Sequence, residues 1–173
     1  MNPLVILLAF LFAGQEAPPA THTRVTRAAL AGVEKIVDGG LADPADAFDI
    51  LGFTRGVYLE GYGAVFSTEL NLALTPNLSP FHPVPGKIEI ARIHERKVQR
   101  LPLLKQKMRE MLIASAASLE NLPPREQVVL AVTLIHYSWE DYSGLPLQIV
   151  MQAERQKLLS NATRDSAIRT VEF

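Results

Sequence analysis

The chain has 173 residues, of which 48% are hydrophobic and 20% are charged. Its 17 basic and 18 acidic residues give a formal net charge of −1, which argues against a mainly electrostatic partnership with nucleic acid. It has no cysteine, so disulfides, thiolate metal sites and thiol nucleophiles are excluded. The length and the apolar content predict one folded domain with a substantial core.

The N-terminal residues have the pattern of a secretory signal. Residues 4–14 read LVILLAFLFAG, an apolar run without a charge. A membrane-spanning helix needs about 20 apolar residues, whereas the middle of a secretory signal has roughly 7–15. We therefore predict a signal peptide over residues 1–17, a single domain over residues 18–173 and no transmembrane span in the mature chain. The alternative is an apolar N-terminal helix packed on the domain.

A helix is predicted near residues 25–38, where apolar residues recur at helical spacing behind Thr23 or Thr26 as the N-cap. Gly39 and Gly40 are expected to end it, because glycine adopts the left-handed conformation that closes helices. The next stretch, residues 41–52, is predicted to be a loop. Three of its side chains are expected to reach the core: Phe48, Ile50 and Leu51.

A β-hairpin is predicted over residues 56–74. Phe66, Thr68 and Leu70 alternate with polar residues, the period of a strand with one buried face. A shorter strand at residues 57–59 precedes a glycine-containing turn. Prolines between residues 76 and 85 then predict an extended connection.

The second half of the chain predicts a long helix followed by strands. Residues 87–121 have helical spacing, and Pro102 is expected to kink or split that helix. Residues 127–138 are β-branched and apolar on both sides, which favours a central strand covered on both faces. Residues 147–153 and 168–173 read as further strands, the last at an edge.

These elements predict an α+β fold in two layers. A mostly antiparallel sheet would carry the helices on one face. Short loops favour pairing between neighbouring antiparallel strands over parallel crossovers.

No standard cofactor motif is present. Gly61 and Gly63 could begin a dinucleotide fingerprint, but Phe66 occupies the place of its third glycine. The sequence also lacks a GxxxxGK[ST] phosphate loop and an HExxH zinc motif, so we expect neither a cofactor nor a metal.

A histidine paired with a carboxylate could act as a general base. The chain has four histidines, His22, His82, His94 and His136. His136 or His94 would be the base, and the carboxylate would come from Glu60, Glu69, Glu140 or Asp141. The alternative is that these histidines are hydrogen-bonded structural residues, since no nucleophile motif accompanies them.

Two short polar and aromatic groups are candidate recognition surfaces, because large rigid rings bind at low entropic cost. The first consists of Arg55, Tyr58 and Tyr62. The second consists of Trp139, Glu140, Asp141 and Tyr142. The alternative is that the rings cap the ends of the sheet.

Residues 87–110 carry eight basic residues against three acidic ones. Such a helix could meet anionic lipid, a polyanionic glycan or an acidic partner, although it lacks the aromatic residues that would stack on nucleic-acid bases. The alternative is a solvated helix face whose charges are balanced by acids elsewhere in the fold.

Two blocks, FDILGFTRGVYLEGYGAVFSTELNL and LPPREQVVLAVTLIHYSWEDYSGLPLQIVMQAERQKLL, are similar to a group of uncharacterised bacterial proteins with predicted export signals. The resemblance covers most of the mature chain and implies a bacterial, extracytoplasmic placement. It implies no activity, cofactor or catalytic residue.

We therefore expect a non-enzymatic binding or assembly module of the periplasm or cell envelope, with an unknown protein or envelope partner. Its candidate binding residues are Arg55, Tyr58, Tyr62, His94, His136, Trp139 and Glu140. A small hydrolase that uses a histidine–carboxylate pair is the second hypothesis.

Overall fold

The computed structural model describes residues 25–42, 48–74, 84–162 and 164–173. Its elements are α1 (Arg27–Leu41), β1 (Asp49–Leu59), β2 (Gly63–Asn71), α2 (Lys87–Ser118), β3 (Gln127–Leu134), β4 (Gln148–Glu154), α3 (Arg155–Leu159), α4 (Arg164–Ala167) and β5 (Arg169–Glu172). The strands form a five-stranded sheet in the order β1-β2-β3-β4-β5. The predicted α+β architecture is confirmed.

The sheet is mostly antiparallel, but its central pair is not. β2 and β3 are parallel neighbours, with Gly63 opposite Gln127 and Leu70 opposite Leu134. The antiparallel pairing expected across the short loops before residue 75 and after residue 138 is confirmed for β1 with β2 and for β3 with β4, but the sequence did not predict this parallel pair. Parallel neighbours need a long crossover, and α2 supplies it by carrying the chain back across the sheet.

The helix α1 begins where the sequence predicted and ends later. The Thr26 hydroxyl accepts a hydrogen bond from the Ala29 N–H at 3.2 Å, which caps the helix. The glycine pair does not stop it, and the helix continues to the buried Leu41. Gly40 serves packing instead, because a Cβ atom there would lie 2.8 Å from the sulfur of Met111 on α2.

The strand β1 is longer than predicted, and it replaces part of the expected loop. Register shifts on either side of Gly52 interrupt the alternation, which is why the sequence pattern hid the strand. Phe48 is buried and Ile50 packs against the core, as expected. Leu51 does not reach the core and is exposed.

The helix α2 runs without a break through Pro102, so the predicted split is wrong. Pro102 lies on the solvent side of the helix. Water can therefore satisfy the Val98 carbonyl, which loses its partner because proline has no N–H. The predicted proline-rich connection falls largely on residues 75–83, outside the described residues.

The core lies between the sheet and the two long helices. Phe66, Leu70 and Leu130 from the sheet and Leu104 and Met108 from α2 are almost completely buried there. The strand predictions for β3, β4 and the edge strand β5 are confirmed, although β3 ends at Leu134 rather than at residue 138. Within the described segments, no helix combines the length and the apolar character needed to span a membrane.

The turn between β1 and β2 gives a testable prediction. Gly63 has a φ of 143°, and a Cβ atom there would lie 2.0 Å from the Gln127 carbonyl oxygen of β3. We expect Gly63→Ala to lower the free energy of unfolding by about 3 kcal/mol or more, because strain adds to overlap with the neighbouring backbone.

Gly61→Ala is the matched control. Gly61 also has a positive φ, 77°, but a Cβ atom there would have no other atom within 4 Å. We expect a loss of about 1 kcal/mol, from backbone strain alone. Equal losses for both variants in urea denaturation would show that the close approach to β3 is unimportant.

Candidate functional site

The candidate residues fall into two groups that do not meet. Tyr62 lies in the turn at one end of the sheet, and His136 follows β3 at the other end. The eight residues of β3 separate these two ends by about 25 Å. The first group consists of Arg55, Tyr58 and Tyr62. The second group, as the structure assembles it, combines Trp139 and Glu140 with the two histidines His94 and His136.

The second group is organised around Lys97 of α2, whose side chain is only 1% exposed. Its Nζ atom lies 2.5 Å from Oε2 of Glu140 and 3.4 Å from the carbonyl oxygen of Ile135. The same Glu140 oxygen accepts a hydrogen bond from the Tyr137 N–H at 3.3 Å. Lys97 and Glu140 therefore fasten the loop of residues 135–147, which joins β3 to β4, onto the helix.

Burial lowers the pKa of Lys97 below its ordinary value, because desolvation disfavours the ammonium form. The hydrogen bond and the charge of Glu140 oppose this effect and do not cancel it. A buried ion pair of this kind contributes little net stability as a pair. Loss of one partner, however, is costly because it leaves the other charge uncompensated.

The two described histidines of this group face main-chain oxygens. The Nδ1 atom of His94 lies 2.9 Å from the carbonyl oxygen of Asp141. The Nε2 atom of His136 lies 3.3 Å from the carbonyl oxygen of Pro146, and its ring stacks on Tyr142. His22 and His82 lie outside the described residues.

A general base needs a carboxylate that orients it and a path to the substrate. The Nδ1 atom of His136 lies 3.6 Å from Oε2 of Glu140, and both side chains are at least 95% buried. Glu140 is already occupied by Lys97. This geometry suits a structural cluster better than a hydrolase, because a substrate could not approach either group.

Trp139 also has a local role. Its ring stacks on the ring of Tyr137, with the centroids 5.6 Å apart, and the side chain is only partly buried. Sequence reasoning counted Lys97 as part of a cationic surface and did not single it out. A signal was nevertheless present, because Ile93, Lys97 and Leu104 lie at helical spacing on the buried side of α2.

The first group is spread along the hairpin. The Tyr58 hydroxyl donates a hydrogen bond to Oε1 of Glu126 at 3.3 Å and so links β1 to the residue before β3. Burial, together with this carboxylate, raises the pKa of Tyr58. Arg55 and Tyr62 are exposed.

Two carboxylates of α1 bind the outer edge of β1. Oε1 of Glu34 accepts a hydrogen bond from the Gly56 N–H at 2.7 Å, and Oδ1 of Asp38 accepts one from the Thr54 N–H at 2.9 Å. Arg27 pairs with Glu34 and donates to the Gly56 carbonyl. The helix therefore satisfies edge groups that would otherwise be available to another strand.

The face of the sheet away from α1 and α2 is not covered by any described helix. We call it the open sheet face. Its outward residues are Leu51, Phe53, Arg55, Val57, Leu59, Val65, Ser67, Glu69, Val129, Ala131, Thr133, Gln148, Val150, Gln152, Arg169 and Val171.

The open sheet face is most apolar along β1. Phe53 is 77% exposed and Val57 52%, and Leu51 and Leu59 are also exposed. A cavity of about 270 Å³, lined in part by Leu51 and Phe53, adjoins this strand. The exposed Arg55 lies between Phe53 and Val57 on the same face. Exposed apolar residues that cluster in this way mark interaction sites more often than isolated ones do.

The basic helix offers less free charge than its sequence indicates. Lys97 and Lys105 pair with Glu140 and Glu172, Arg92 pairs with Glu89, and Arg100 lies over the ring of Phe48. Acids elsewhere in the fold therefore balance Lys97 and Lys105, whereas Arg92 pairs within the helix and Arg100 contacts a ring.

A second cavity, of about 460 Å³, lies between α1 and α2 and includes Lys107 and Glu110 in its lining. Neither it nor the cavity beside Phe53 includes Lys97 or Glu140. Among the described residues, no group of three or more histidine, aspartate or glutamate side chains is placed to hold a metal ion.

No protein-family model matches the sequence, and no curated protein or solved structure matches it.

The Lys97–Glu140 pair gives a second prediction. We expect Lys97→Met to lower the free energy of unfolding by about 3–5 kcal/mol, because it leaves the Glu140 carboxylate buried without a cation. Lys105→Met is the matched control. Lys105 pairs with Glu172 at 2.7 Å, but both side chains are partly exposed, so we expect at most about 1 kcal/mol.

The double variant Lys97→Met/Glu140→Met should recover much of that loss, since it removes both charges. Guanidinium denaturation of the four proteins measures the differences. If Lys97→Met proves no more harmful than Lys105→Met, the buried pair does not fasten the loop.

The contact between α1 and β1 gives a pH prediction. Burial alone would raise the pKa of Glu34, but hydrogen bonds from Arg27 and Gly56 outweigh it and hold the pKa below its ordinary value. The resulting stabilisation is complete above the unfolded-state pKa of about 4.3 and is lost as pH falls through the lower folded-state value.

We therefore expect Glu34→Gln to cost about 1–3 kcal/mol at pH 7, and the difference from the natural protein to narrow below about pH 4. Glu89→Gln, in an exposed pair with Arg92, is the control and should change stability little at any pH. If the loss of unfolding free energy caused by Glu34→Gln stayed constant from pH 7 to pH 3, the lowered pKa of Glu34 would be contradicted. Thermal denaturation across this range provides the measurement.

Proposed function

We propose that the protein is an exported, non-enzymatic binding or assembly module of the bacterial periplasm or cell envelope, and that it binds through the open sheet face. The observation that carries this proposal is that β3 has more apolar surface than the described helices cover. This strand is apolar on both faces, whereas the described helices pack on only one of them.

The composition of β3 supports a covered second face. Val128, Leu130 and Val132 point into the core; Val129, which is only 5% exposed, and the partly buried Ala131 point the opposite way. Strands that read as continuous apolar runs are typical of sheets with both faces covered. A partner on the open sheet face would provide that cover.

The neighbouring strand β1 supports the same conclusion. The exposed Phe53, Val57 and Leu59 extend the apolar surface to the edge of the sheet, and Arg55 lies among them. Aromatic and arginine side chains are the residues that most often dominate binding energy at interfaces. Because Glu34 and Asp38 occupy N–H groups at the edge of β1, the face suits a partner better than this edge does.

Export is supported by the apolar run at residues 4–14. The described residues begin at Val25, so residues 1–17 contribute no described helix or strand. The absence of cysteine is compatible with an oxidising compartment, because the fold depends on its core rather than on disulfides.

Site-specific photocrosslinking in a bacterial host tests both parts of the proposal. The full chain would carry a C-terminal tag and the photoreactive residue p-benzoylphenylalanine at position 53 or 57. We expect a discrete crosslinked product from both positions, because both lie on the open sheet face. Mass spectrometry of the tagged protein from a periplasmic extract should also find that residues 4–14 have been removed.

Position 88 is the matched control, because Ile88 is 73% exposed but lies on α2, away from the open sheet face. It should give no discrete product. Smears or equal yields from positions 53, 57 and 88 would overturn the docking surface. A cytosolic chain that retains residues 4–14 would overturn export.

A further inference from the structure

We infer that the occupant of the open sheet face is a second copy of this chain, packed sheet against sheet. The inference rests on the proposed function, because it names the partner of the same surface. It produces four layers, with the two sheets inside and the α1 and α2 helices of each copy outside. Face-to-face packing of two sheets about 10 Å apart is a common way to cover such surfaces.

The size of the face fits a dimer. Five strands about 4.8 Å apart, most of them seven to eleven residues long, give a face of roughly 500–600 Å². Two such faces together bury about 1,000–1,200 Å², which is the lower limit for a specific interface. Interfaces at this limit are typical of weak, transient complexes, so we expect a reversible dimer with a dissociation constant in the micromolar range.

The charges on the face are compatible with self-association. An interface between two copies related by a twofold axis uses the same patch on both, so that patch has to be complementary to itself. The open sheet face carries the cations Arg55 and Arg169 and the anion Glu69, with Arg55 and Glu69 on adjacent strands. Each copy can therefore offer a cation and an anion to its partner, with Phe53 and Val57 supplying apolar area on each side.

Sedimentation equilibrium of the protein purified from its exported fraction tests the inference over roughly 1–200 μM, a range that brackets the expected constant. We expect a monomer–dimer equilibrium. Phe53→Glu should raise the dissociation constant at least about tenfold, because a twofold interface contains each substitution twice. Phe53 is mostly exposed, so the substitution should not disturb the fold, and circular dichroism verifies this.

Ile88→Glu is the matched control. It places the same charge on another highly exposed apolar residue, away from the open sheet face, and should change the constant by less than about twofold. A natural protein that stays monomeric over the whole range would overturn the inference. Equal weakening of the dimer by Phe53→Glu and Ile88→Glu would overturn it too.

The mass of the product crosslinked from position 53 separates failure of the inference from failure of the proposed function. A product of twice the chain mass supports the second copy. A product of any other combined mass overturns the second copy but leaves a binding module. A crosslink within a single chain overturns the second copy and the proposed function alike, because another segment of the same chain then covers the face.

Discussion

The parallel pairing of β2 with β3 is the constraint on which the rest of the structure depends. Two parallel neighbours cannot be joined by a tight turn, so the chain has to return along the sheet through α2. This return places α2 over one face of the sheet. The first half of α2 then lies at the end of the sheet where β2 and β3 both terminate. The buried Lys97 cluster lies at that end of the sheet, and the described helices leave the opposite face uncovered.

The Lys97 cluster and the open sheet face therefore have different roles. In the cluster, Glu140 is enclosed by Lys97 and by the main chain of the loop that it holds, which leaves little room for chemistry. The open sheet face has few fixed polar contacts and substantial apolar area, including Phe53. The proposed module and its dimer both depend on this surface.

The sequence predicted those elements whose signals are local. The capping residue Thr26 was sufficient to predict the start of α1, and the alternation of Phe66, Thr68 and Leu70 was sufficient to predict β2. The parallel pairing of β2 with β3 could not be predicted, because residues 72–126 separate the two strands. Packing, and not a local turn, determines which strands pair over such a distance. The sequence did not reveal the role of Lys97, because a lysine among other cations is usually solvent-exposed. The predicted first strand was too short, because the irregularity at Gly52 interrupts the alternation of buried and exposed residues. His136 and Glu140 were one of several histidine–carboxylate combinations that the sequence offered, and their burial could not be predicted because it depends on how the loop packs against α2.

The carboxylates of α1 at the edge of β1 have a further consequence. A surface that is adhesive enough to bind a partner also exposes a protein to open-ended polymerisation, in which sheets grow strand by strand. Glu34 and Asp38 occupy the Gly56 and Thr54 N–H groups that such growth would need at this edge. Under the proposed function, the open sheet face would bind its partner while the occupied N–H groups oppose strand-by-strand growth along β1.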